Sequence, residues 1–127
     1  MSYENIQFSK EELSRYNRHI IIKEFGLEGQ KKLKAAKVLV IGSGGLGSPM
    51  LLYLAAAGVG TIGIVDFDIV DDSNLQRQVL FGVSEVGKPK AEAAKQRLQT
   101  LNPHINFRVH NVQLTSKNGL DLIKQYD

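Results

Sequence analysis

Cysteine is absent from the 127 residues of the sequence. Without thiols the chain has no disulfide framework, no thiolate metal site and no cysteine nucleophile. Only three prolines occur and no low-complexity tract is present, which argues against a disordered chain. The longest apolar stretch, from Pro49 to Val59, is shorter than the about 20 apolar residues that cross a bilayer. Met1 to Glu12 is polar with charges of both signs, unlike a secretory signal or a transit peptide, so we expect a cytoplasmic protein without a membrane partner.

The composition is that of one soluble globular domain. A length of 127 residues leaves room for one modest core, and 43% hydrophobic and 23% charged residues are ordinary for such a domain. The net charge of +3 is mild, and the Lys and Arg residues are scattered among Glu and Asp. Because no basic stripe with interleaved aromatic residues is present, we do not expect a nucleic-acid partner.

The first part of the chain has the pattern of short helices. Ser9 followed by Glu12 is typical of a capping box at a helix start. Three apolar side chains then recur at helical spacing on one predicted face: Leu13, Tyr16 and Ile20. We expect Gly26 and Gly29 to bracket a break, and a second helix to run from Gln30 to Ala36. Residues 9–36 are therefore predicted as N-terminal helices.

From residue 37 onward, strand and helix patterns alternate. Short apolar or alternating runs predict three parallel strands, at Val38–Ile41, Thr61–Val65 and Ile105–Val109. Helices are predicted at Leu46–Ala57 with Gly58 as a left-handed C-cap, from Pro89 to a stop at Asn102-Pro103, and at Gly119–Tyr126. The order β-α-β-α-β-α is that of the first half of a Rossmann-like, doubly wound parallel sheet. We thus predict an α/β fold in which residues 37–127 form one nucleotide-binding half.

The predicted topology leaves the first strand without one neighbour. In the usual strand order 3-2-1-4 a fourth strand lies against strand one, and no residues remain to supply it. Val38–Ile41 would then be an exposed apolar edge. We therefore expect the chain to be a truncated piece of a longer protein.

A glycine-rich turn follows the first strand directly. Gly42, Gly44 and Gly47 have the spacing of the dinucleotide-binding fingerprint, between a strand and a helix start. The first glycine permits a tight turn, the second lets the backbone approach phosphate, and the third lets helix and strand pack closely. Free N–H groups at the helix start then attract an anion. The motif predicts a nucleotide site.

Charged residues after the second strand help to identify which nucleotide the predicted site would bind. Asp66 ends that strand, where a carboxylate can accept hydrogen bonds from both ribose hydroxyls. A ribose and a phosphate chain are common to NAD and ATP, so these features do not separate the two. Arg77 and Lys90 favour triphosphate chemistry, because fixed cations stabilise the charge that builds on phosphate oxygens in a transition state. The spacing alone leaves open that both side chains are simply solvated.

Five motifs in order resemble the ThiF/MoeB/HesA family, whose members are related to ubiquitin-activating enzymes. They are R-Y-N-R-H at 15–19, G-S-G-G-L-G at 42–47, D-F-D at 66–68, N-L-Q-R-Q at 74–78 and G-K-P-K at 87–90. The resemblance begins near Leu13 and corresponds to the N-terminal half of a family member. It implies an ATP-dependent adenylyltransferase that activates the C-terminal glycine carboxylate of a ubiquitin-like sulfur-carrier protein as an acyl-adenylate. Thiamine, molybdenum-cofactor and other sulfur pathways stay open.

The resemblance also implies roles for individual residues. Nucleotide binding would fall to Gly42, Gly44, Gly45, Gly47, Asp66, Asp68 and Gln78. Catalysis on the triphosphate of Mg-ATP would fall to Asn74, Arg77 and Lys90, without a protein nucleophile. Arg18 would reach into the active site of the neighbouring subunit, which implies a homodimer.

Parts of the family pattern are absent from the sequence. Three features of the family belong to its C-terminal half: the Asp-containing motif that helps hold magnesium, the paired-cysteine zinc site and the carrier-docking surface. No metal ligands are therefore predicted within this chain. We therefore expect the chain alone to bind ATP weakly and to show little or no adenylation. Two other interpretations remain: a fragment of an NAD-dependent oxidoreductase, and a non-catalytic nucleotide-binding module that dimerises through its first helices.

Overall fold

The computed structural model describes residues 2–127. Six α-helices lie within these residues: α1 Lys10–Arg15, α2 Asn17–Ile20, α3 Gly26–Ala35, α4 Gly47–Ala57, α5 Lys90–Leu101 and α6 Gly119–Ile123. Three strands alternate with the later helices: β1 Lys37–Ile41, β2 Thr61–Val65 and β3 Asn106–His110. None of the helices within residues 2–127 is long and apolar enough to cross a membrane.

The strands form one parallel sheet in the order β1-β2-β3. Helices α4 and α5 pack together on one face, where their side chains meet alternate residues of β2. Seven fully buried apolar side chains of these three elements form the centre of the core: Leu51, Ala55, Ile62, Ile64, Ala91, Ala94 and Leu98. The chain after α6 covers the other face, because the Tyr126 ring contacts Gly63. The predicted α/β, Rossmann-like doubly wound architecture is confirmed.

β1 lies at an edge of this sheet, as the strand order 3-2-1 requires. Among residues 2–127, only the first residue of β1 has a backbone partner on the open side: Asp127 N donates to Lys37 O at 2.8 Å, and Lys37 N donates to the Asp127 carboxylate at 2.8 Å. Ile41, at the other end of the strand, is 56% exposed. The predicted apolar edge is therefore present within residues 2–127.

The N-terminal helices differ from the prediction in two places. The capping box of Ser9 and Glu12 is confirmed, but the helix it opens ends at Arg15 and a separate short helix begins at Asn17. The chain bends at Tyr16, whose buried hydroxyl accepts a hydrogen bond from Asn102 Nδ2 at 2.8 Å. This bend turns Tyr16 into the core and leaves Leu13 exposed, so the predicted common apolar face is wrong.

The predicted break at Gly26 and Gly29 is also wrong. Both glycines lie in α3, which starts at Gly26. The Phe25 ring packs against Gly29, and a Cβ at this position would come within 2.6 Å of the ring. The glycine therefore marks a close contact inside a helix and not an interruption.

The other elements follow the sequence pattern closely. Gly58 caps α4 in the left-handed conformation, β2 has the predicted bounds, and α5 ends where Asn102 leaves the helix. Helix α6 is shorter than predicted and ends at Ile123, because the following residues turn so that Tyr126 reaches the sheet.

Candidate nucleotide-binding site

The glycine-rich turn joins the end of β1 to the start of α4. Gly42 has a φ of +86°, a left-handed conformation that favours glycine, and its N–H donates to Val65 O at 2.7 Å. A Cβ on Gly47 would overlap Gly42 O, so the helix start approaches the strand end as closely as backbone allows. A Cβ on Gly44 would meet only the Gln78 side chain, at 3.6 Å. The first and third glycines thus have the predicted structural roles.

Asp66 holds this turn in place from the end of β2. One carboxylate oxygen accepts hydrogen bonds from Ser43 N at 2.9 Å and from Ser43 Oγ at 2.7 Å. The other accepts from Asp68 N at 2.9 Å. Ser48 Oγ donates to Ser43 O at 2.8 Å and links the turn to α4. The carboxylate therefore braces the turn, and three of its about four acceptor positions are filled before any ribose arrives.

An open cleft of about 430 Å³ lies over the turn at the carboxyl end of the sheet. Its size is within the range of small-molecule sites. Six residues of the predicted site line it: Gly42, Gly44, Asp66, Asp68, Gln78 and Lys90. The cleft also has apolar walls, to which Ile41, Phe67, Val112 and Leu114 contribute. A ligand with a flat apolar part and an anionic part would match this lining.

Lys90 brings a nearly buried cation to the cleft. Its side chain is 8% exposed, and Nζ lies 4.0 Å from Asp68 Oδ2. The backbone keeps the two residues together, because Lys90 N donates to Asp68 O at 2.9 Å and Ile69 forms an antiparallel bridge with Pro89. The long separation leaves the ammonium group loosely paired and able to bind an anion in the cleft.

Gln78 is a buried amide without a partner. The residue is 4% exposed, and Gln78 Oε1 has no hydrogen-bond partner among residues 2–127. An unpaired buried amide oxygen costs about 1–3 kcal/mol, so such atoms are rare in native structures. Because Gln78 lines the cleft beside Gly44, a ligand donor is the natural partner for this oxygen.

Arg77 and Asn74 lie on the loop next to the turn. A Cβ on Gly45 would be 3.6 Å from Arg77 Cδ, and the exposed guanidinium donates to Ser73 O at 3.3 Å. Asn74 Oδ1 accepts from Asp71 N at 2.9 Å and closes a turn of 3₁₀ helix. The structure thus brings Arg77 to the glycine turn and gives Asn74 a structural contact, while the predicted catalytic roles of both remain predictions.

Arg18 does not join this cleft. Tyr16, the residue before α2, and Gln30 of α3 both contact Gly58 at the C-terminal end of α4. His19 of α2 lies beside them, with its Nδ1 3.0 Å from Gln30 Oε1. The glycine turn is at the opposite end of that helix. Eleven helical residues span about 16 Å, so the neighbours of Arg18 in the sequence lie about a helix length from the site in their own chain.

Sequence reasoning missed two parts of the site. Ser43 occupies a spacer position of the glycine motif, and the spacing does not indicate that its N–H and hydroxyl fix Asp66. Residues Val112–Leu114 were also missed. They follow the end of a parallel strand, and ligands bind outside the carboxyl ends of such strands, so topology alone would have indicated them.

A metal site was not predicted within this chain. Within residues 2–127 no group of three or more His, Asp or Glu side chains could hold a metal ion. Asp68 is the one loosely paired carboxylate that lines the cleft. These residues do not form a magnesium site by themselves, although magnesium is commonly held by one carboxylate together with substrate phosphates.

Comparison with known proteins gives a family. The model of the ThiF family matches residues 16–127. The probable adenylyltransferase/sulfurtransferase MoeZ of Mycobacterium tuberculosis is 61% identical over 119 residues, which are 94% of this chain and 30% of MoeZ. The sulfur carrier protein adenylyltransferase of Thermus thermophilus is 51% identical over 96% of this chain and 45% of that protein. The chain therefore spans about a third to a half of the length of these relatives.

Comparison with solved structures agrees with the family match. The tRNA N6-threonylcarbamoyladenosine dehydratase TcdA of E. coli, in complex with AMP, superposes with a TM-score of 0.89. The two are 27% identical, and the match covers 95% of this chain and 49% of TcdA. A structural relative thus binds an adenine nucleotide on the same fold.

Proposed function

The chain belongs to the ThiF family, and on that premise we propose that it carries the ATP-binding part of an adenylyltransferase acting on a ubiquitin-like sulfur-carrier protein. Homologues of this chain are named adenylyltransferases of that kind. The substrates and the activity of the whole protein belong to the proposal, because the chain spans 30% of MoeZ.

One observation carries the ATP part of the proposal. The glycine turn, the buried cation of Lys90 and the unpartnered amide of Gln78 line one cleft. Backbone N–H groups at the start of α4 and the Lys90 ammonium supply positive charge for phosphates. The apolar walls suit a purine. Binding of a nicotinamide cofactor would not explain why the additional cation of Arg77 lies beside the turn.

The chemistry requires positioning and charge neutralisation more than a reactive side chain. In the proposed step, a carrier carboxylate oxygen attacks the α-phosphorus of ATP, the bond to the bridging oxygen breaks, and pyrophosphate leaves with that electron pair. Charge builds on the phosphate oxygens as this happens, and Lys90 and Arg77 would stabilise it more strongly than they stabilise the ground state. Magnesium would enter bound to the phosphates, since the residues described here do not form a site of their own for it.

The remaining roles follow from the same proposal. Asn74 would contact the triphosphate, and Asp66 would accept from a ribose hydroxyl through its remaining acceptor position. Arg18 would act on the site of a second subunit, because its neighbours in the sequence lie about a helix length from the cleft of their own chain. We also propose a homodimer, because Arg18 would act across two subunits, and a cytoplasmic location, because the reaction consumes ATP.

Nucleotide binding is tested by calorimetry of the full-length protein with ATP, AMP and NAD. We expect ATP and AMP to bind and NAD not to bind. Lys90→Met should weaken ATP binding about 10- to 100-fold, because a charge-assisted hydrogen bond contributes about 1.5–3 kcal/mol. The matched control is Lys88→Met, which removes an exposed lysine two residues earlier in the chain. Binding of NAD alone, or an ATP affinity that Lys90→Met leaves unchanged, would contradict the proposal.

Adenylation is tested by pyrophosphate exchange with the full-length protein, Mg-ATP and a carrier protein. Arg77→Ala should lower the exchange rate about 10³-fold, because arginines that stabilise phosphoryl-transfer transition states have effects of this size. Circular dichroism should be unchanged, since the guanidinium is exposed. Exchange at the wild-type rate in Arg77→Ala would remove this residue from the mechanism.

A further inference from the structure

Arg77 and Gln78 contact consecutive glycines of the turn. A Cβ on Gly45 would be 3.6 Å from Arg77 Cδ, and a Cβ on Gly44 would be 3.6 Å from Gln78 Nε2. Arg77 is exposed, whereas Gln78 is 4% exposed. Two neighbours in the sequence therefore place a cation and a neutral amide beside the same stretch of backbone.

The backbone holds Gln78 in this position. Its N–H donates to Asn74 O at 2.8 Å, and its carbonyl oxygen accepts from Phe81 N at 3.2 Å. Asn74 is itself fixed, because its Oδ1 accepts from Asp71 N at 2.9 Å. Buried side chains in close-packed surroundings stay in one rotamer on average. The amide of Gln78 therefore has a defined place beside the turn.

The free atom of this amide is an acceptor. Gln78 Oε1 has no hydrogen-bond partner among residues 2–127, and the residue lines the cleft. Its partner has to be an N–H or O–H group. The phosphate oxygens of ATP are ionised and act as acceptors themselves, so they cannot pair with Oε1. A donor outside the phosphate chain is required.

The donors of ATP itself are expected elsewhere in the cleft. Ribose hydroxyls are expected at the end of β2, where Asp66 keeps one acceptor position open. The purine amino group is expected between the apolar walls, to which Phe67 and Val112 contribute. Gln78 instead contacts Gly44, the glycine at which the fingerprint lets the backbone approach phosphate. The donor for Oε1 therefore has to arrive with the second substrate.

The second substrate of the proposed reaction has a donor close to its reactive group. The reaction brings the carboxylate of a C-terminal glycine to the α-phosphorus. The N–H of that same glycine is two bonds from the carboxylate carbon, about 2.5 Å away. Because the terminal glycine has no side chain, this N–H is its one donor group. An acceptor beside the phosphate is therefore well placed to recognise it.

We infer that Gln78 Oε1 accepts a hydrogen bond from the N–H of the C-terminal glycine of the carrier protein and so holds the carboxylate beside the α-phosphate. The inference rests on the proposed function, because it concerns a substrate of that reaction. It assigns Gln78, which the family resemblance groups with the nucleotide-binding residues, to the other substrate. The unpaired oxygen then has its partner only while the carrier is bound.

Pyrophosphate exchange with the full-length protein separates the two substrates. Gln78→Met keeps the length of the side chain and removes the acceptor. We expect the KM for the carrier to rise about 5- to 10-fold, which is the effect of one neutral hydrogen bond. The dissociation constant for ATP, measured by calorimetry, should stay within about twofold of the wild-type value. A weakened ATP affinity, or an unchanged KM for the carrier, would overturn the inference.

The matched control is Gln99→Met, the same change at an exposed glutamine of α5. This variant should alter neither the KM for the carrier nor the ATP affinity. If Gln99→Met raised the KM for the carrier as much as Gln78→Met does, the effect would not belong to the cleft and the inference would fail.

A modified carrier tests the donor without any change in the protein. Semisynthesis can replace the last peptide bond of the carrier by an ester, which removes the N–H and keeps the carboxylate. With the wild-type protein we expect the KM for this carrier to rise about 5- to 10-fold. With Gln78→Met the ester should cause no further rise, because both changes remove the same hydrogen bond. Effects that multiply would assign the N–H to another acceptor.

The stability of the variant distinguishes a binding role from a structural one. Gln78→Met replaces an unpaired buried amide by an apolar side chain of similar size, which removes the desolvation cost of that amide. The urea midpoint of Gln78→Met should therefore equal or exceed that of the wild type. A lower midpoint would mean that the amide supports the fold of the protein without substrates, which contradicts the inference.

Failure of the proposed function has a different outcome. A wild-type protein that shows no pyrophosphate exchange with sulfur-carrier proteins would refute the proposed function, and the inference would fall with it. An active wild type whose KM for the carrier is unchanged in Gln78→Met would refute the inference alone.

Discussion

Gly47 shows how little space the backbone leaves where α4 begins. A Cβ there would overlap the carbonyl oxygen of Gly42, and neither group belongs to a flexible side chain. We expect Gly47→Ala to lower the free energy of unfolding by about 1–3 kcal/mol or more, which is the usual cost of overpacking. Chemical denaturation followed by circular dichroism measures this change.

Gly44→Ala is the control for this substitution. Its Cβ would meet only the amide of Gln78, at an ordinary contact distance of 3.6 Å. The change in unfolding free energy should therefore stay within about 0.5 kcal/mol. If the free energy of unfolding falls equally in Gly47→Ala and Gly44→Ala, the close approach of Gly47 to Gly42 O does not determine the stability of the turn.

At the scale of single residues, the sequence predicted which residues line the cleft better than it predicted their contacts. Asp66 was expected to face a ribose, and the structure shows that it first fixes Ser43 and the backbone of Asp68. The hydrogen bonds of a buried carboxylate depend on which loop folds over it. The spacing of residues in the sequence does not show which loop this is. The unpaired amide of Gln78 was likewise visible only once its surroundings were known.

At the scale of elements, patterns with a local cause were predicted well. The bounds of β2 and the left-handed cap at Gly58 depend on residues within the element itself. The bend at Tyr16 has a distant cause, the hydrogen bond from Asn102, and was therefore missed. Gly29 was misinterpreted for a similar reason, since its role is set by the ring of Phe25 and not by helix propensity.

The docking of the segment after α6 should depend on pH. His110 Nε2 lies 2.6 Å from the hydroxyl of Tyr126. Burial, and then the charge of Arg108, lower the pKa of His110 below its usual 6.5. The unfolded chain thus binds a proton at higher pH than the folded chain. This contribution to stability is fully present above about pH 6.5 and is lost as pH falls through the folded pKa.

Urea unfolding between pH 7.5 and pH 5 measures this effect. We expect the midpoint to fall on acidification in the wild type and to fall less in His110→Gln, which cannot take up the proton. Tyr126→Phe serves as a control that removes the hydroxyl but leaves the imidazole in place; it should be less stable throughout and keep the pH dependence. If the urea midpoint of His110→Gln falls with pH as steeply as that of the wild type, another group is responsible for the pH dependence.

At the scale of the whole molecule, the open side of β1 should be visible in amide exchange. Gly42 N donates toward β2 and Lys37 N points away from it, so the alternation along the strand directs the amides of Leu39 and Ile41 to the open edge. We expect these two amides to exchange rapidly in hydrogen-exchange NMR, while those of Val38 and Val40 are protected. Protection of Leu39 and Ile41 would mean that a second chain covers the edge.

The Asp66–Ser43–Ser48 hydrogen bonds have a consequence for affinity. They connect atoms of the protein only, so we expect the turn to keep one shape independently of a ligand. A nucleotide then meets amides that are already oriented, and little conformational entropy is lost on association. We therefore expect Ser43, whose side chain is fully buried, to affect ligand affinity by holding the turn in shape.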